Sequence, residues 1–94
     1  MRQAQEIRSQ RAQLYTGLQA LSSLTVYPSE ANFILFRTPT GTAGDVFEGL
    51  KTAGILIKNL DGTMGALQDC LRVTVGTPDE NAAFLTALKP LLAS

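Results

Sequence analysis

The pattern of apolar and polar positions is clearest between residues 71 and 75, where it predicts a strand. Leu71, Val73 and Val75 alternate with Arg72 and Thr74, and a period of two residues is typical of a strand with one buried face. Because the apolar side chains point to one face, Arg72 must point to the other. We therefore expect Arg72 to be directed at a partner or a ligand.

A helix is predicted to follow this strand almost immediately. Gly76 ends the alternation, Thr77 suits the N-cap and Pro78 suits the first helical position. Glu80 stands three residues after the cap, as a capping box requires. The predicted helix runs over 78–92. Its apolar stripe consists of Ala82, Leu85, Leu88, Leu91 and Leu92.

A long helix is predicted at the other end of the chain, over 2–21. Its apolar positions fall on one side, namely Ile7, Leu14, Leu18 and Leu21. The first half of this helix is polar on nearly every side, so it has little to bury. We expect that half either to fray or to lie against something outside this chain.

The remaining pattern predicts three shorter strands and one more helix. The strands are expected at 25–27, 32–37 and 55–59, and the helix at 43–53. The strand at 32–37 is apolar on both faces, so we expect it to be interior or covered on both sides. Thr42 can cap this helix. The connection at 60–69 is too rich in glycine for regular structure.

Together these elements predict an α+β fold. The expected architecture is a two-layer sandwich, in which a long N-terminal helix is followed by β-β-α-β-β-α. The small, mainly antiparallel sheet has strand 71–75 at its centre, between strands 32–37 and 55–59 and antiparallel to both. The two later helices cover one face of the sheet, and the face that carries Arg72 is left open.

The open face of the predicted sheet is expected to be apolar. We expect Ile34, Phe36 or Ile57 to lie on it, and such a surface is unusual for a monomer in water. The open face therefore favours contact with a partner.

The composition indicates one small domain without a nucleic-acid or membrane surface. The chain has 94 residues, and eight basic residues balance eight acidic ones, so no basic field exists to attract a polyanion. The first ten residues are polar, so we expect no signal peptide, and no apolar run is long enough to cross a bilayer. The single cysteine, Cys70, is expected to be a small buried residue in a cytoplasmic protein.

The residues with catalytic chemistry are few. The chain has no histidine and one cysteine, so no metal-ligand cluster or nucleophile–histidine pair can be assembled. If the chain takes part in an enzyme, we expect it to contribute binding residues.

Arg72, Lys58 and Asn59 are the candidate binding residues. The planar fork of Arg72 can hold a carboxylate or phosphate in two parallel hydrogen bonds, or it can form a salt bridge at the sheet edge. Lys58 and Asn59 end a predicted strand beside it. They can supply a second anion contact and an amide hydrogen bond, or they can be a solvated charge and a turn residue.

Four stretches of the chain resemble the C-terminal small domain of the histidinol-phosphate aminotransferases, in the same order and with similar spacing. They are 29–37 (SEANFILFR), 54–59 (GILIKN), 65–67 (GAL) and 70–81 (CLRVTVGTPDEN). Those enzymes are fold type I aminotransferases that use pyridoxal 5'-phosphate (PLP). The resemblance runs from about residue 5 to 92. Its most specific part is the last strand with the Gly-Thr-Pro-Asp-Glu cap.

This resemblance implies a single domain over 1–94, with a linking helix over 1–23 and a small-domain sandwich over 24–94. The large PLP-binding domain, with the lysine that bonds PLP, would precede residue 1. The chain is then a fragment or a truncated product. We expect it neither to hold PLP firmly nor to transaminate by itself.

The resemblance also implies roles for the three candidate residues. Arg72 falls on the family's arginine that binds the substrate carboxylate, which glutamate supplies as the amino donor. Lys58 stands where the family often has an arginine, near the distal or phosphate end of a substrate such as histidinol phosphate. Asn59 follows it as a weaker substrate-binding candidate. No residue is expected to be catalytic, cofactor-binding or metal-binding, and the parent enzyme is expected to be a homodimer.

Two alternatives stay open at this point. The chain could be the small domain of another fold type I aminotransferase or decarboxylase. It could also be a stand-alone α/β module that binds a ligand or dimerises through its open sheet face.

Overall fold

Three helices cover one face of a four-stranded antiparallel sheet. The computed structural model describes residues 2–29, 31–62 and 65–92. The helices are α1 (Arg2–Gln19), α2 (Ala43–Thr52) and α3 (Pro78–Leu92), and the strands are β1 (Thr25–Val26), β2 (Phe33–Arg37), β3 (Lys58–Asn59) and β4 (Cys70–Thr74). The predicted α+β sandwich and its order of elements are confirmed.

The strand order β1-β2-β4-β3 places β4 inside the sheet. It pairs antiparallel with β2 on one side and with β3 on the other, so the predicted insertion of this strand is correct. A single register fixes all five residues of β4 against β2, with Leu35 opposite Arg72 and Phe36 opposite Leu71. The position of Arg72 in the sheet is therefore set by backbone pairing on both sides.

The register also decides which face of β2 is buried. Ile34 lies opposite Val73 and Phe36 lies opposite Leu71, and directly opposed residues share a face. Ile34 and Phe36 are fully buried under the helices. The prediction that these two residues lie on the open face was therefore wrong. Phe33 and Leu35 lie on that face instead, because side chains alternate along a strand.

The core is a single apolar layer between the sheet and the helices. Phe36 meets Phe84 of α3 edge to face, with ring centroids 6.0 Å apart, a favoured aromatic geometry. Leu14 and Leu18 of α1 are buried in the same layer. α1 therefore joins the two later helices on the covered face.

The two predicted helix caps behave differently. At α3, the Thr77 hydroxyl accepts the Glu80 backbone N–H at 3.2 Å, and the Glu80 carboxylate accepts the Thr77 backbone N–H at 2.9 Å, so the capping box is confirmed. At α2, Thr42 makes no side-chain cap. Its hydroxyl donates instead to the Pro39 carbonyl at 2.6 Å, so Thr42 occupies the predicted N-cap position without a hydrogen bond from its side chain to the helix.

β3 is shorter than the predicted strand 55–59. It contains only Lys58 and Asn59, because the segment 55–57 leaves the sheet after α2 and does not pair with β4. Leu56 in this segment is 76% exposed. The connection predicted to lack regular structure contains one 3-10 turn at Gly65–Leu67. Arg37 stabilises it by donating to the Ala66 and Gln68 carbonyls at 2.7 and 3.1 Å.

Candidate functional site

Arg72 projects from β4 on the face of the sheet away from the helices, which we call the outer face. Its neighbours Leu71 and Val73 are buried on the opposite face, so the alternation predicted from the sequence is observed. The Arg72 guanidinium carbon lies 4.8 Å from the centre of the Phe33 ring, within the range of a cation–π contact. The ring supports the guanidinium from one side, while the side chain as a whole is half-buried.

Lys58 is brought directly beside Arg72. The two residues are partners in the β3–β4 register, and Lys58 is exposed. Among the residues that the structure describes, neither cation is paired with a carboxylate. Like charges placed directly opposite each other destabilise an antiparallel pair. The pair thus places two positive charges side by side on the outer face.

Asn59 is not brought to the same face. It lies opposite Leu71, which is buried on the helix side, so its side chain leaves the strand on that side. Its carboxamide oxygen accepts the backbone N–H of Asp61 at 2.9 Å and closes the turn after β3. The geometry therefore groups Arg72 with Lys58 and leaves Asn59 as a turn residue at the end of the same strand.

The surroundings of the cation pair are mostly apolar. Leu35 lies opposite Arg72 on β2, and Phe33 lies opposite Thr74. An apolar floor lowers the local dielectric constant and strengthens hydrogen bonds between the guanidinium and a bound anion. The sequence pattern did not single out Phe33 as a site residue. Its contact with Arg72 depends on the register between two strands 39 positions apart, which no local signal reports.

Arg37 is a third cation on the outer face, but its guanidinium is engaged by contacts within the chain. Besides its bonds to the 3-10 turn, its guanidinium carbon lies 5.7 Å from the centre of the Tyr27 ring. Asp69, buried at the end of the same connection, accepts the backbone N–H of Gly41 at 3.0 Å. These contacts hold the 60–69 connection against β2 and separate Arg37 from the Arg72–Lys58 pair.

The residues present do not fit PLP as a resident cofactor. The chain has three lysines, Lys51, Lys58 and Lys89, and all three are exposed, whereas PLP needs an enclosed lysine close to a phosphate cradle. Within ranges 2–29, 31–62 and 65–92, no group of three or more metal-ligating side chains occurs. Cys70 is buried and free, as expected.

A groove of about 820 Å³ lies elsewhere, between the segment 53–57 and α3. It exists because that segment separates from β4 before β3 begins. Its lining is largely apolar, and neither Arg72 nor Lys58 belongs to it. This groove and the cation pair are therefore different features. No helix among the described residues is both long and apolar enough to cross a membrane.

Comparison with known proteins identifies relatives that are much longer than this chain. No family model matches. Histidinol-phosphate aminotransferase 2 of Nitrosococcus oceani is 61% identical over 87 residues, which are 93% of this chain and 24% of the relative. The histidinol-phosphate aminotransferase of Aquifex aeolicus is 40% identical over 94 residues, which are 100% of this chain and 26% of the relative. The chain thus spans about a quarter of the length of the curated relatives that it matches.

Solved structures agree with this comparison. The histidinol-phosphate aminotransferase from Clostridium acetobutylicum matches with a TM-score of 0.81 and 25% identity, over 90% of this chain and 26% of that one. The L-threonine-O-3-phosphate decarboxylase from Porphyromonas gingivalis matches with a TM-score of 0.85 and 26% identity, over 96% of this chain and 28% of that one. The resemblance inferred from the four sequence stretches is confirmed.

Proposed function

We propose that this chain is the C-terminal small domain of a histidinol-phosphate aminotransferase. It is homologous to a region that makes up about one quarter of the length of such an enzyme. In this proposal residues 1–23 form the linking helix and residues 24–94 form the small-domain sandwich. The domain binds the substrate carboxylate and closes the active site, and it does not transaminate alone.

The observation that carries the proposal is the Arg72–Lys58 pair. Two neighbouring cations face outward across β3 and β4, over an aromatic ring, with no carboxylate partner among the described residues. An arginine with a purely structural role normally forms a salt bridge with a carboxylate, or it extends into water without a second cation beside it. Two positive charges on neighbouring strands of one face attract an anion from outside the domain.

Arg72 performs the more specific part of the binding. A guanidinium donates two parallel hydrogen bonds to a carboxylate, and the Phe33 ring lies 4.8 Å from the guanidinium carbon and supports it from one side. Hydrogen bonds to a charged group contribute about 1.5–3 kcal/mol. Glutamate, as the amino donor, provides the carboxylate that Arg72 binds.

Lys58 supports binding as a point charge. Lysine keeps the charge of the family's arginine but lacks its bidentate fork, so it attracts the distal or phosphate end of a substrate such as histidinol phosphate without fixing its orientation. We assign Asn59 the weaker role of positioning this lysine, because its carboxamide fixes the turn that follows.

The outer face also provides a cover for the reaction. Phe33 and Leu35 are half-buried on that face, and an apolar surface laid over a substrate excludes water from the site. PLP, held by the large domain of the parent enzyme, supplies the electron sink. The large domain is thus the main partner of this chain, and we place the parent in the cytoplasm as a homodimer.

The alternatives are less well supported. Curated relatives named histidinol-phosphate aminotransferase are 61% and 40% identical to this chain, and this favours that family. The solved structures do not separate the two classes, because the decarboxylase matches at 26% identity and the histidinol-phosphate aminotransferase at 25%. A stand-alone module is disfavoured because those relatives are about four times longer than the matched region.

A chimera tests the proposal. The homologous quarter of the Nitrosococcus oceani enzyme is replaced by this chain, and the purified product is assayed with PLP, glutamate and histidinol phosphate. We expect amino transfer by the chimera and none by the 94-residue chain. A chimera that is soluble and binds PLP but transfers no amino group would overturn the proposal, with the unaltered relative as the control.

A further inference from the structure

Asn81, near the start of α3, is a buried polar residue whose carboxamide is fully used. The side chain is 7% exposed. Its oxygen accepts the Gly76 backbone N–H at 2.9 Å, and its nitrogen donates to the Gly76 carbonyl at 3.1 Å. The same nitrogen donates to Oε1 of Gln10 at 3.2 Å. Asn81 therefore joins the turn after β4 to the middle of α1, 71 positions away in the sequence.

The next residue of α1 holds the neighbouring strand. Arg11 donates to the Ala31 carbonyl at 3.2 Å, just before β2. The two strand ends are themselves joined, because the Val75 N–H donates to the Asn32 carbonyl at 2.8 Å. Consecutive residues of α1 thus bind the start of β2 and the end of β4 at one end of the sheet.

A second contact fixes the same pair of helices further along. A methyl group added at Gly17 of α1 would stand 2.7 Å from a Leu85 methyl of α3, so the helices approach closely there. With Gln10–Asn81 at one point and Gly17–Leu85 at another, α1 and α3 cannot rotate against each other without breaking a contact. Directional hydrogen bonds to a buried amide add a preferred geometry that apolar packing alone does not impose.

We propose that Gln10 and Asn81 are positioning residues for Arg72. This inference rests on the proposed function, in which α1 links the sheet to the large domain. Arg72 lies only four residues before Gly76 on a five-residue strand, and β3 supports that strand over just two residues. Backbone pairing with β2 and β3 fixes Arg72 within the sheet, and the hydrogen-bonded contact between the turn after β4 and α1 fixes that end of the sheet against the helix. Together they set the place of the guanidinium relative to α1.

The test uses three variants in α1. Gln10→Leu removes the acceptor for Asn81, whereas Gln10→Glu keeps an acceptor oxygen at the same place. Gln13→Leu is the matched control, because Gln13 is exposed and donates only within α1, to Ser9. In the chimera we expect Gln10→Leu to raise KM for glutamate about 5-fold, the equivalent of one hydrogen bond, with kcat little changed. Gln10→Glu and Gln13→Leu should keep the original KM.

Coupling to Arg72 distinguishes positioning from general stabilisation. In an Arg72→Lys background, which already lacks the bidentate grip, Gln10→Leu should add little further increase in KM. An equal multiplicative increase in both backgrounds, or a fall in kcat without a change in KM, would overturn the positioning role.

A measurement on the 94-residue chain keeps this inference separate from the proposed function. In Gln10→Leu, hydrogen exchange of the Gly76 amide should accelerate about 5-fold relative to the core amide of Leu71, and Gln13→Leu should leave the ratio unchanged. Equal acceleration at both amides, or none, contradicts the contact. If the unaltered chimera is inactive, the proposed function fails, while this exchange ratio still decides whether Gln10 holds the end of β4.

Discussion

Lys58 lies directly opposite Arg72 across the β3–β4 pair, and both side chains leave the sheet on its outer face. Two cations in this arrangement repel each other. In the described part of the chain, no carboxylate pairs with Arg72 or with Lys58. The pair is therefore less favourable for the isolated domain than for a domain with an anion bound. We interpret this unfavourable pairing as the mark of a binding site.

Removal of one cation should stabilise the isolated chain. We expect Lys58→Met to increase the free energy of unfolding by about 0.2–1 kcal/mol, measured by urea denaturation at low salt. Because salt screens exposed charges, 1 M NaCl should reduce this gain. Lys89→Met is the matched control. Lys89 is an exposed lysine in the last turn of α3, where a positive charge is favourable, so this change should be neutral or destabilising. A loss of stability in Lys58→Met would contradict the repulsion.

The two faces of β2 should respond differently to truncation. Phe36 is fully buried, so Phe36→Ala should lower the free energy of unfolding by about 3–5 kcal/mol. Phe33 lies on the outer face, and Phe33→Leu should cost much less while removing the ring beneath Arg72, a contact of about 0.5–1 kcal/mol. Urea denaturation of both variants checks the assignment. Similar losses for the two would mean that the register is shifted.

The contribution of the α3 capping box to stability should be measurable with substitutions at Thr77. Thr77→Ala removes the hydroxyl that accepts the Glu80 N–H and should cost about 1 kcal/mol. Thr77→Ser keeps an equivalent oxygen and should retain most of the stability. Thermal unfolding of the three proteins is sufficient, and equal losses for alanine and serine would show that the hydroxyl is not the stabilising group.

Substitution of Lys58 should change the KM for histidinol phosphate more than the KM for glutamate. In the chimera, Lys58→Arg restores a bidentate fork, so we expect KM for histidinol phosphate to fall severalfold, by about one charged hydrogen bond at most. KM for glutamate should change little. Steady-state kinetics with each substrate varied in turn provides the comparison, and an equal change in both KM values would place Lys58 outside the phosphate end.

The parts of the fold that the sequence predicted are those with local signals. The strand-to-helix unit around Thr77 is encoded by alternation and by a cap within ten residues, so it was correct almost to the residue. The faces of β2 were not predictable in this way, because both sets of alternate residues are apolar. Only the pairing of Ile34 with Val73 selects the buried set, and that pairing is a long-range property.

In the candidate site, too, the features with local sequence signals were predicted and those that depend on long-range pairing were not. Alternation predicted that Arg72 leaves the apolar face, and the strand order brought Lys58 beside it. Asn59 was grouped with them because it is adjacent in sequence, yet adjacent residues in a strand point to opposite faces. The contact between Gln10 and Asn81 could not be predicted, because amides so far apart in the chain carry no sign of their pairing.

Binding of the substrate carboxylate by Arg72 is tested by the KM of the chimera for glutamate after Arg72→Lys. This change keeps the charge and removes the bidentate fork. The account predicts an increase in KM of about 10-fold or more, corresponding to the loss of one charge-assisted hydrogen bond, with the protein still folded and PLP still bound. An unchanged KM for glutamate in such a folded, PLP-bound variant would contradict it.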